Sequence, residues 1–307
     1  MQREGAAGEE KWEGLARSHY ENFPVGSFLV PKAKRGAFKW IYAFARTADD
    51  LADEARDLQG LQALRASLDA ALHPPSHPSG TPMFFDSLTR PLARYIQEHQ
   101  LSPEHFHHLL DAFELDLRKN RYGDTHELFD YCRLSANPVG RLVLELFEQR
   151  DADSFSRSDQ ICTALQILNH LQDIRSDYVD RDRIYLPADR MQALGVKEQD
   201  LAQSKAHPAL QTLIQELAQT AASLLVRGHP LCDRLRGRAS LEIRAIFHSA
   251  SLVLERLGGK GFDPLRKRPR VHRTDLLRVL FRTLFAKGPS KNLRGLAQGA
   301  PPFPGQP

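Results

Sequence analysis

Apolar residues recur at intervals of three and four along most of the chain, which is the pattern of amphipathic helices packed on a common core. The spacing predicts helices over residues 12–21, 32–55, 60–72, 83–98, 103–120, 124–133, 155–180, 208–234, 238–257 and 274–286, and one more beginning near Pro138 and Gly140. No alternating run predicts a strand. The predicted fold class is all-α, as a single-domain helical bundle.

Composition sets the predicted limits of this domain. Residues 1–11 and 287–307 are polar or rich in Pro and Gly, so both ends are predicted to be disordered around a domain at 12–286. No apolar run has the length of a signal peptide core or a membrane span. We therefore expect a cytoplasmic protein.

Charge and cysteine content narrow the function only slightly. The net charge is +4, which fits an anionic substrate or a membrane surface as well as it fits nucleic acid. We predict no nucleic-acid partner, because a sharper chemical signal lies elsewhere in the chain. Cys132, Cys162 and Cys232 are far apart, which predicts neither a disulfide framework nor a zinc site.

That signal is a pair of segments with polar side chains at helical spacing. The first has them at i, i+4, i+7 and i+11, and the second at i, i+3, i+7 and i+11, so each set shares one helix face. The residues are Tyr42, Arg46, Asp49 and Asp53 in the first segment, and Gln166, Asn169, Asp173 and Asp177 in the second. Carboxylates four residues apart repel each other, so we expect a cation to neutralise them.

Two such faces in one chain suggest two facing helices of a bundle that hold divalent metal between them. Carboxylate oxygens favour Mg²⁺, which completes its coordination with water and with substrate phosphate. The predicted cofactor is therefore Mg²⁺, and the predicted substrate is a diphosphate. The alternative for either segment alone is a solvated helix face with no ligand.

Three stretches give the chain a resemblance to the squalene and phytoene synthases, over residues of about 15 to 285. They are DDLADE, YCRLSANPVG and QILNHLQDIRSDYVDRDRIYLP. The resemblance implies a helical fold with a central apolar cavity and a Mg²⁺-diphosphate cluster at the cavity mouth. It also implies that an allylic or cyclopropylcarbinyl diphosphate is ionised there.

The resemblance also implies a role for each matching residue. The metal ions would be held by Asp49, Asp53, Asp173 and Asp177, with Asp50 as the second acid of the first motif. Further groups around the diphosphate and the cation would be Tyr42, Arg46, Gln166, Asn169, Arg183, Tyr185, Asn22 and Phe23. Asp182 departs from the pattern, because many relatives have Gly before the Arg of R-x-Y-L-P.

Two further strings, HYENFPVGSFLVP and GFDPLRKRPRVHRTDLLRVLFRTL, resemble the bacterial hydroxysqualene synthases of hopanoid biosynthesis. The resemblance implies presqualene diphosphate as substrate, water capture of the rearranged cation, and release of diphosphate without a reductant. It also implies functional coupling to a presqualene diphosphate synthase and a hydroxysqualene reductase. Tyr20, Glu21 and Asn22 replace small hydroxyl and basic residues of the carotenoid-type enzymes. We predict that Glu21 or Asn22 orients the capturing water or shapes the pocket that admits it.

Two other functions compete with this one. The first is a head-to-head synthase that makes squalene, dehydrosqualene or phytoene from two prenyl diphosphates. The second is a non-catalytic assembly factor of the same fold, in which the metal carboxylates need not be kept.

The segment 274–286 adds a prediction about location. Leu277, Leu280, Phe281 and Leu284 would share one helix face beside a basic run at 266–270. Such a helix either lies in the interface of the inner membrane face, as a peripheral contact, or docks on the bundle.

Overall fold

The computed structural model describes residues 31–74, 83–259 and 262–301, and most of these residues are helical. The helices are α1 (Arg35–Asp53), α2 (Leu58–Leu72), α3 (Asp86–Glu98), α4 (Pro103–Asp116), α5 (Thr125–Ser135), α6 (Asn137–Leu146), α7 (Ala152–Arg181), α8 (Ala188–Leu194), α9 (Pro208–Gly228), α10 (Leu231–Arg234), α11 (Gly237–Leu257), α12 (Leu276–Phe285) and α13 (Lys291–Gln298). Short 3-10 helices occur at Lys32–Lys34, Glu198–Ala202 and Arg273–Asp275.

The described helices form two compact units. The first contains the described residues up to Arg118 together with Leu142–Arg150. Its core is built on α1, whose buried face meets α2, α3 and α4. Phe44 of α1 packs edge-on against Phe106 of α4, with ring centroids 5.5 Å apart. This packing leaves the opposite edge of α1 for polar side chains.

The second unit contains residues 119–141 and those from Asp151 onward. The 30-residue α7 is its longest helix, and α9 packs along it. Gly228 marks a close approach of the two helices, because a Cβ there would lie 2.5 Å from the Ile161 side chain and 2.9 Å from the Arg157 carbonyl oxygen. A glycine at this crossing therefore lets the two helices come into backbone contact. The polar stripe of α7 lies further along the same helix.

The prediction of an all-α fold is confirmed for the described residues. They contain no β-strand, and their only bridge joins Arg121 and Ile184. The predicted 32–55 and 155–180 helices correspond to α1 and α7, and the predicted start near Pro138 corresponds to α6. Within the described residues, no helix has the length and apolarity to cross a membrane.

Two predicted boundaries are wrong, and one helix was not predicted. The predicted 103–120 helix ends at Asp116, and the predicted 208–234 helix ends at Gly228, followed by the short α10. Pro230 explains the second break, because it has no N–H to continue the hydrogen-bond ladder. The apolar periodicity did not predict the short helix α8, at 188–194.

The predicted disorder of 287–307 is wrong over Lys291–Gln298, which form α13. Ser290 caps this helix by accepting a hydrogen bond from the Leu293 N–H at 3.1 Å. Leu293 is fully buried, and the helix packs on α9 and α11. Two apolar side chains, Leu293 and Leu296, are enough to dock a segment whose composition is mostly polar. The remaining predicted domain limits stay predictions.

Candidate functional site

The first polar stripe lies on α1. The buried face of α1 carries small and apolar residues, among them Trp40, Phe44 and Ala48. Tyr42, Arg46, Asp49, Asp50 and Asp53 are half-buried along the other edge. The sequence therefore places the predicted diphosphate and metal residues of α1 on one accessible strip, as the spacing indicated.

Arg46 organises the carboxylates of this strip. Its Nη1 lies 2.7 Å from Oδ2 of Asp49, and its Nη2 lies 2.6 Å from Oδ1 of Asp50. A third contact reaches Glu54 at 3.2 Å. Burial raises the pKa of the nearby Tyr42 phenol, against the opposing effect of Arg46 and together with Asp49 and Asp50. Tyr42 therefore stays a neutral hydrogen-bonding group beside these charges.

The second polar stripe lies on α7, which begins at the cap residue Asp151. Asp173 and Asp177 are half-buried, Gln166 is half-buried, and Asn169 is exposed. Oδ1 of Asp177 lies 3.4 Å from Nη1 of Arg181, one turn further along the helix. The four residues line one face of α7 in the last half of the helix.

Asp173 has a cationic partner that the sequence analysis missed. Nη2 of Arg268 lies 2.7 Å from Oδ2 of Asp173, and the neighbouring Gln172 side chain donates to the Pro269 carbonyl. The basic segment 266–270 therefore runs across α7 at its carboxylate face. The basic run was visible in the sequence, but a pairing between residues 95 positions apart has no local signal.

The end of α7 explains the departure at position 182. Asp182 has φ of +53° and ψ of 38°, a left-handed conformation that glycine adopts most easily. Aspartate is among the residues that tolerate this conformation. Its carboxylate receives hydrogen bonds from Arg121 at 2.7 Å and from Asn120 at 3.1 Å. The residue that replaces glycine therefore adds a polar link to the 120–123 segment.

After this turn, Arg183 and Tyr185 lie in the interior of the second unit. Both are 8% exposed, and the Arg183 N–H donates to the Asp177 carbonyl at 2.9 Å. The Tyr185 ring stacks on His170 of α7 with centroids 3.7 Å apart, and it also contacts Tyr122 and Tyr131. R-x-Y-L-P is therefore a buried brace behind the Asp177 turn.

His170 is the second residue that the sequence analysis missed. Burial lowers its pKa to about 3, so the imidazole is neutral near pH 7. Its Nε2 is buried without a hydrogen-bond partner among the described residues. It borders a cavity of about 10 Å³ that Asp177, Arg183 and Tyr185 also line. Position 170 lies beside the polar stripe of α7, but an isolated histidine gave no reason to single it out.

The donor chemistry on each helix fits magnesium. Two carboxylates one turn apart are hard oxygen donors, and Mg²⁺ needs only one or two of them when water and phosphate supply the rest. Across the part of the chain that the structure describes, no group of three or more His, Cys, Asp or Glu side chains is placed to hold a metal ion. Metal binding by Asp49, Asp53, Asp173 and Asp177 stays a prediction.

The predicted central apolar cavity also stays a prediction. A cleft of about 500 Å³ is present within the second unit, and its lining is largely polar, including Arg133, Arg141, Asp159 and Gln160. This cleft belongs to the first half of α7, whereas Asp173 and Asp177 lie in the second half. The predicted roles of Asn22 and Phe23, and of Tyr20 and Glu21, concern positions outside the described residues.

Comparison with known proteins decides the family. The profile of the squalene/phytoene synthases matches residues 16–275, a range that covers nearly all of both units. The chain belongs to the squalene/phytoene synthase family. Both polar stripes, the YCRLSANPVG segment and the R-x-Y-L-P brace lie inside the matched range. The resemblance inferred from the motifs is therefore confirmed, and with it the chain's place among the isoprenoid synthases.

Within the family, the chain is similar to proteins named hydroxysqualene synthase. It is 36% identical to the one from Rhodopseudomonas palustris, over 88% of this chain and 92% of that protein. It is also 36% identical to the one from Zymomonas mobilis, over 85% and 86%. Identity to the presqualene diphosphate synthase of Zymomonas mobilis is 30%, over 85% and 88%.

Solved structures agree with the fold. The crystal structure of squalene synthase HpnC from Alicyclobacillus acidocaldarius has a TM-score of 0.72 at 34% identity, over 82% of this chain and 93% of that one. A dehydrosqualene synthase has a TM-score of 0.79 at 21% identity, over 92% and 97%. The family's helical fold therefore extends over both units.

Proposed function

We propose that the chain is a Mg²⁺-dependent hydroxysqualene synthase. It would ionise presqualene diphosphate, rearrange the cyclopropylcarbinyl cation, and let water add to the product cation. Diphosphate and a proton leave, and no reductant is consumed. The observation that carries this proposal is the 36% identity to two hydroxysqualene synthases over most of the chain, higher than the 30% to a presqualene diphosphate synthase.

The described residues support the ionisation step. Magnesium, when bound, would supply positive charge to the diphosphate as it leaves. Asp49 and Asp53 on α1 and Asp173 and Asp177 on α7 would hold the ions. Arg46 contacts Asp49 and Arg268 contacts Asp173, and guanidinium groups beside these carboxylates would also donate to diphosphate oxygens.

Water exclusion and orientation would fall to other groups. His170 is neutral, and its buried ring stacks on Tyr185 near the end of α7. This packing would hold the Asp177 turn in place. Tyr42 offers a hydroxyl beside Arg46 without adding a charge. A presqualene diphosphate synthase would supply the substrate, and a hydroxysqualene reductase would consume the product.

A second candidate is supported by one solved relative. The structure from Alicyclobacillus acidocaldarius, at 34% identity, is described as a squalene synthase. The rival activity would therefore give squalene, or a related hydrocarbon, from two prenyl diphosphates. The proposed reaction and this rival differ in substrate and in their need for a reductant.

The test uses purified full-length protein with presqualene diphosphate and Mg²⁺, without NADPH, and identifies the neutral products by mass spectrometry. We expect hydroxysqualene and stoichiometric diphosphate, and no product after chelation of the metal. Parallel reactions contain farnesyl diphosphate, with and without NADPH. Hydrocarbon formation from farnesyl diphosphate, or squalene formation that requires NADPH, would contradict the proposal.

A matched pair of variants tests the site. Asp173→Asn should lower turnover by about a hundredfold or more, as loss of one transition-state contact often does. Asp153→Asn, at the opposite end of α7, should retain the parent rate. Magnesium diphosphate should also raise the melting temperature of the parent and of Asp153→Asn, but not that of Asp173→Asn. Equal responses of the two variants would remove Asp173 from the site.

A further inference from the structure

The helix α12 presents a large apolar surface to solvent. Six of its ten residues are large, apolar and between 43% and 78% exposed: Leu276, Leu277, Leu280, Phe281, Leu284 and Phe285. At 100° per residue these positions span one half of the helix circumference. The Phe281 and Phe285 rings lie next to each other, with centroids 5.1 Å apart. Contiguous exposed apolar surface of this kind usually marks an interaction site.

The opposite side of α12 is firmly attached to α11. Val279 and Thr283 are buried against the unit. Arg282 also points inward, because its Nη1 lies 3.0 Å from Oε1 of Glu255, a side chain that is only 8% exposed. Thus Arg282 anchors the helix. The apolar residues are exposed because a different face of the helix is already used for packing.

Both ends of α12 are fixed as well. Arg256 pairs with Asp275 at 2.6 Å, and Asp275 also accepts a hydrogen bond from the His272 N–H at 2.6 Å. At the other end, Arg244 donates to the Ala286 carbonyl at 3.1 Å. The helix is therefore held as a rigid element with its apolar side outward.

The chain around α12 is strongly basic. Residues 262–301 contain ten Lys and Arg, of which nine are exposed, and two acids, Asp263 and Asp275, which are both buried. The exposed charges of this segment are therefore all positive. Arg273 lies just before α12, and Lys287 lies just after it. Cations beside an apolar helix face complement an anionic, apolar interface.

We propose that α12 is a membrane-docking surface whose partner is the interface of a bilayer that contains anionic lipids. Leu277, Leu280 and Phe281 enter the acyl boundary, while Arg273 and Lys287 contact headgroups. The segment 266–270 joins this surface to Asp173 through Arg268, so docking would bring one side of the site to the lipid. This last point rests on the proposed function, whereas docking itself does not.

Co-sedimentation with vesicles tests the surface. Full-length protein is mixed with vesicles of phosphatidylcholine alone, or of phosphatidylcholine with phosphatidylglycerol, at low ionic strength. We expect binding to the anionic vesicles and much weaker binding to the neutral ones. Equal binding to both kinds of vesicle, or binding to neither, would overturn the proposal.

Two sets of variants separate the apolar and the charged contributions. Leu277→Ser with Phe281→Ser should weaken binding at least tenfold, whereas the matched control Phe84→Ser with Val179→Ser should bind like the parent. Arg273→Gln with Lys287→Gln should weaken binding to anionic vesicles about fivefold for each charge removed. The control for this pair is Arg90→Gln with Arg94→Gln on α3.

Melting curves of each variant check that the fold is retained. If the serine variant is unstable, the variant Arg273→Gln with Lys287→Gln still tests the proposal. Parent-like binding by either the serine variant or the charge variant would overturn the proposal.

Fluorescence of a Phe281→Trp variant distinguishes other occupants of the same face. The emission of the new Trp is obtained by subtracting the spectrum of the parent. Without vesicles it should be that of a solvated indole, and it should shift to the blue when anionic vesicles are added. Blue emission that disappears on dilution would show that a second copy of the chain covers α12. Blue emission at every dilution would show that another segment of the same chain covers it. Either result would overturn membrane docking.

Discussion

The glycine of the YCRLSANPVG segment sets how closely the start of α6 approaches α7. A Cβ built on Gly140 would lie 2.4 Å from Sγ of Cys162 and 2.4 Å from Oγ of Ser158. Both distances are far below van der Waals contact, so Gly140→Ala must displace the Ser158 and Cys162 side chains or one of the helices. Overpacking of this kind costs about 1–3 kcal/mol. The better helix propensity of alanine offsets about 1 kcal/mol of this cost.

We therefore expect Gly140→Ala to lower the free energy of unfolding by up to about 2 kcal/mol. The measurement is urea unfolding followed by circular dichroism. The matched control is Gly295→Ala in α13, where an added Cβ would meet no atom within 4 Å. This control should be neutral or more stable than the parent by up to about 1 kcal/mol, because it gains helix propensity without a clash.

The clash can be removed from the other side. Ser158→Ala with Cys162→Ala deletes both close atoms and leaves Cβ of residue 158 at an ordinary 3.7 Å. In that background, Gly140→Ala should no longer be destabilising, so the effect of one methyl group changes sign with its surroundings. If Gly140→Ala destabilises both backgrounds equally, or stabilises the parent as Gly295→Ala should, the close-approach argument is refuted.

Two further predictions concern the end of α7. Asp182→Ala and Asp182→Gly both remove the hydrogen bonds to Arg121 and Asn120, but only alanine is strained in the left-handed conformation. Urea unfolding should therefore find the alanine variant about 1 kcal/mol less stable than the glycine variant. A more stable alanine variant would contradict this. His170 has a pKa lowered to about 3 by burial, so below about pH 6.5 the unfolded chain takes up a proton that the folded chain does not. Its stabilising contribution therefore falls with falling pH, by about 2 kcal/mol between about pH 7 and about pH 5. His170→Phe should lose correspondingly less stability than the parent over that interval, and identical pH profiles would show that His170 is protonated in the folded state.

Local pattern was sufficient for the helices that carry the candidate chemistry. The spacing of Tyr42, Arg46, Asp49 and Asp53 predicted one strip of α1, and these side chains do share a half-buried edge. The α7 stripe was predicted in the same way. A helix repeats every 3.6 residues, so a face can be determined from sequence whenever the helix itself is long and periodic.

Contacts between distant segments could not be predicted in this way. Arg268 on Asp173, Tyr185 on His170 and Arg282 on Glu255 join residues that are far apart in the chain. Each pair depends on which helices pack together and at what register. Arg282 is one example, because the packing of α12 on α11 makes this charged residue an anchor of the helix.

The sequence by itself determined the helical class, the two acidic strips, the family motifs and the amphipathic character of α12. Only the tertiary structure decided that α13 is ordered, that Asp182 replaces glycine in a left-handed turn, and that the apolar side of α12 faces outward. The physical reason is that periodicity reports which residues share a face, while burial depends on what other chain segments cover that face. A polar segment such as 291–298 is ordered because Leu293 and Leu296 dock on α9 and α11, and no local pattern records that site.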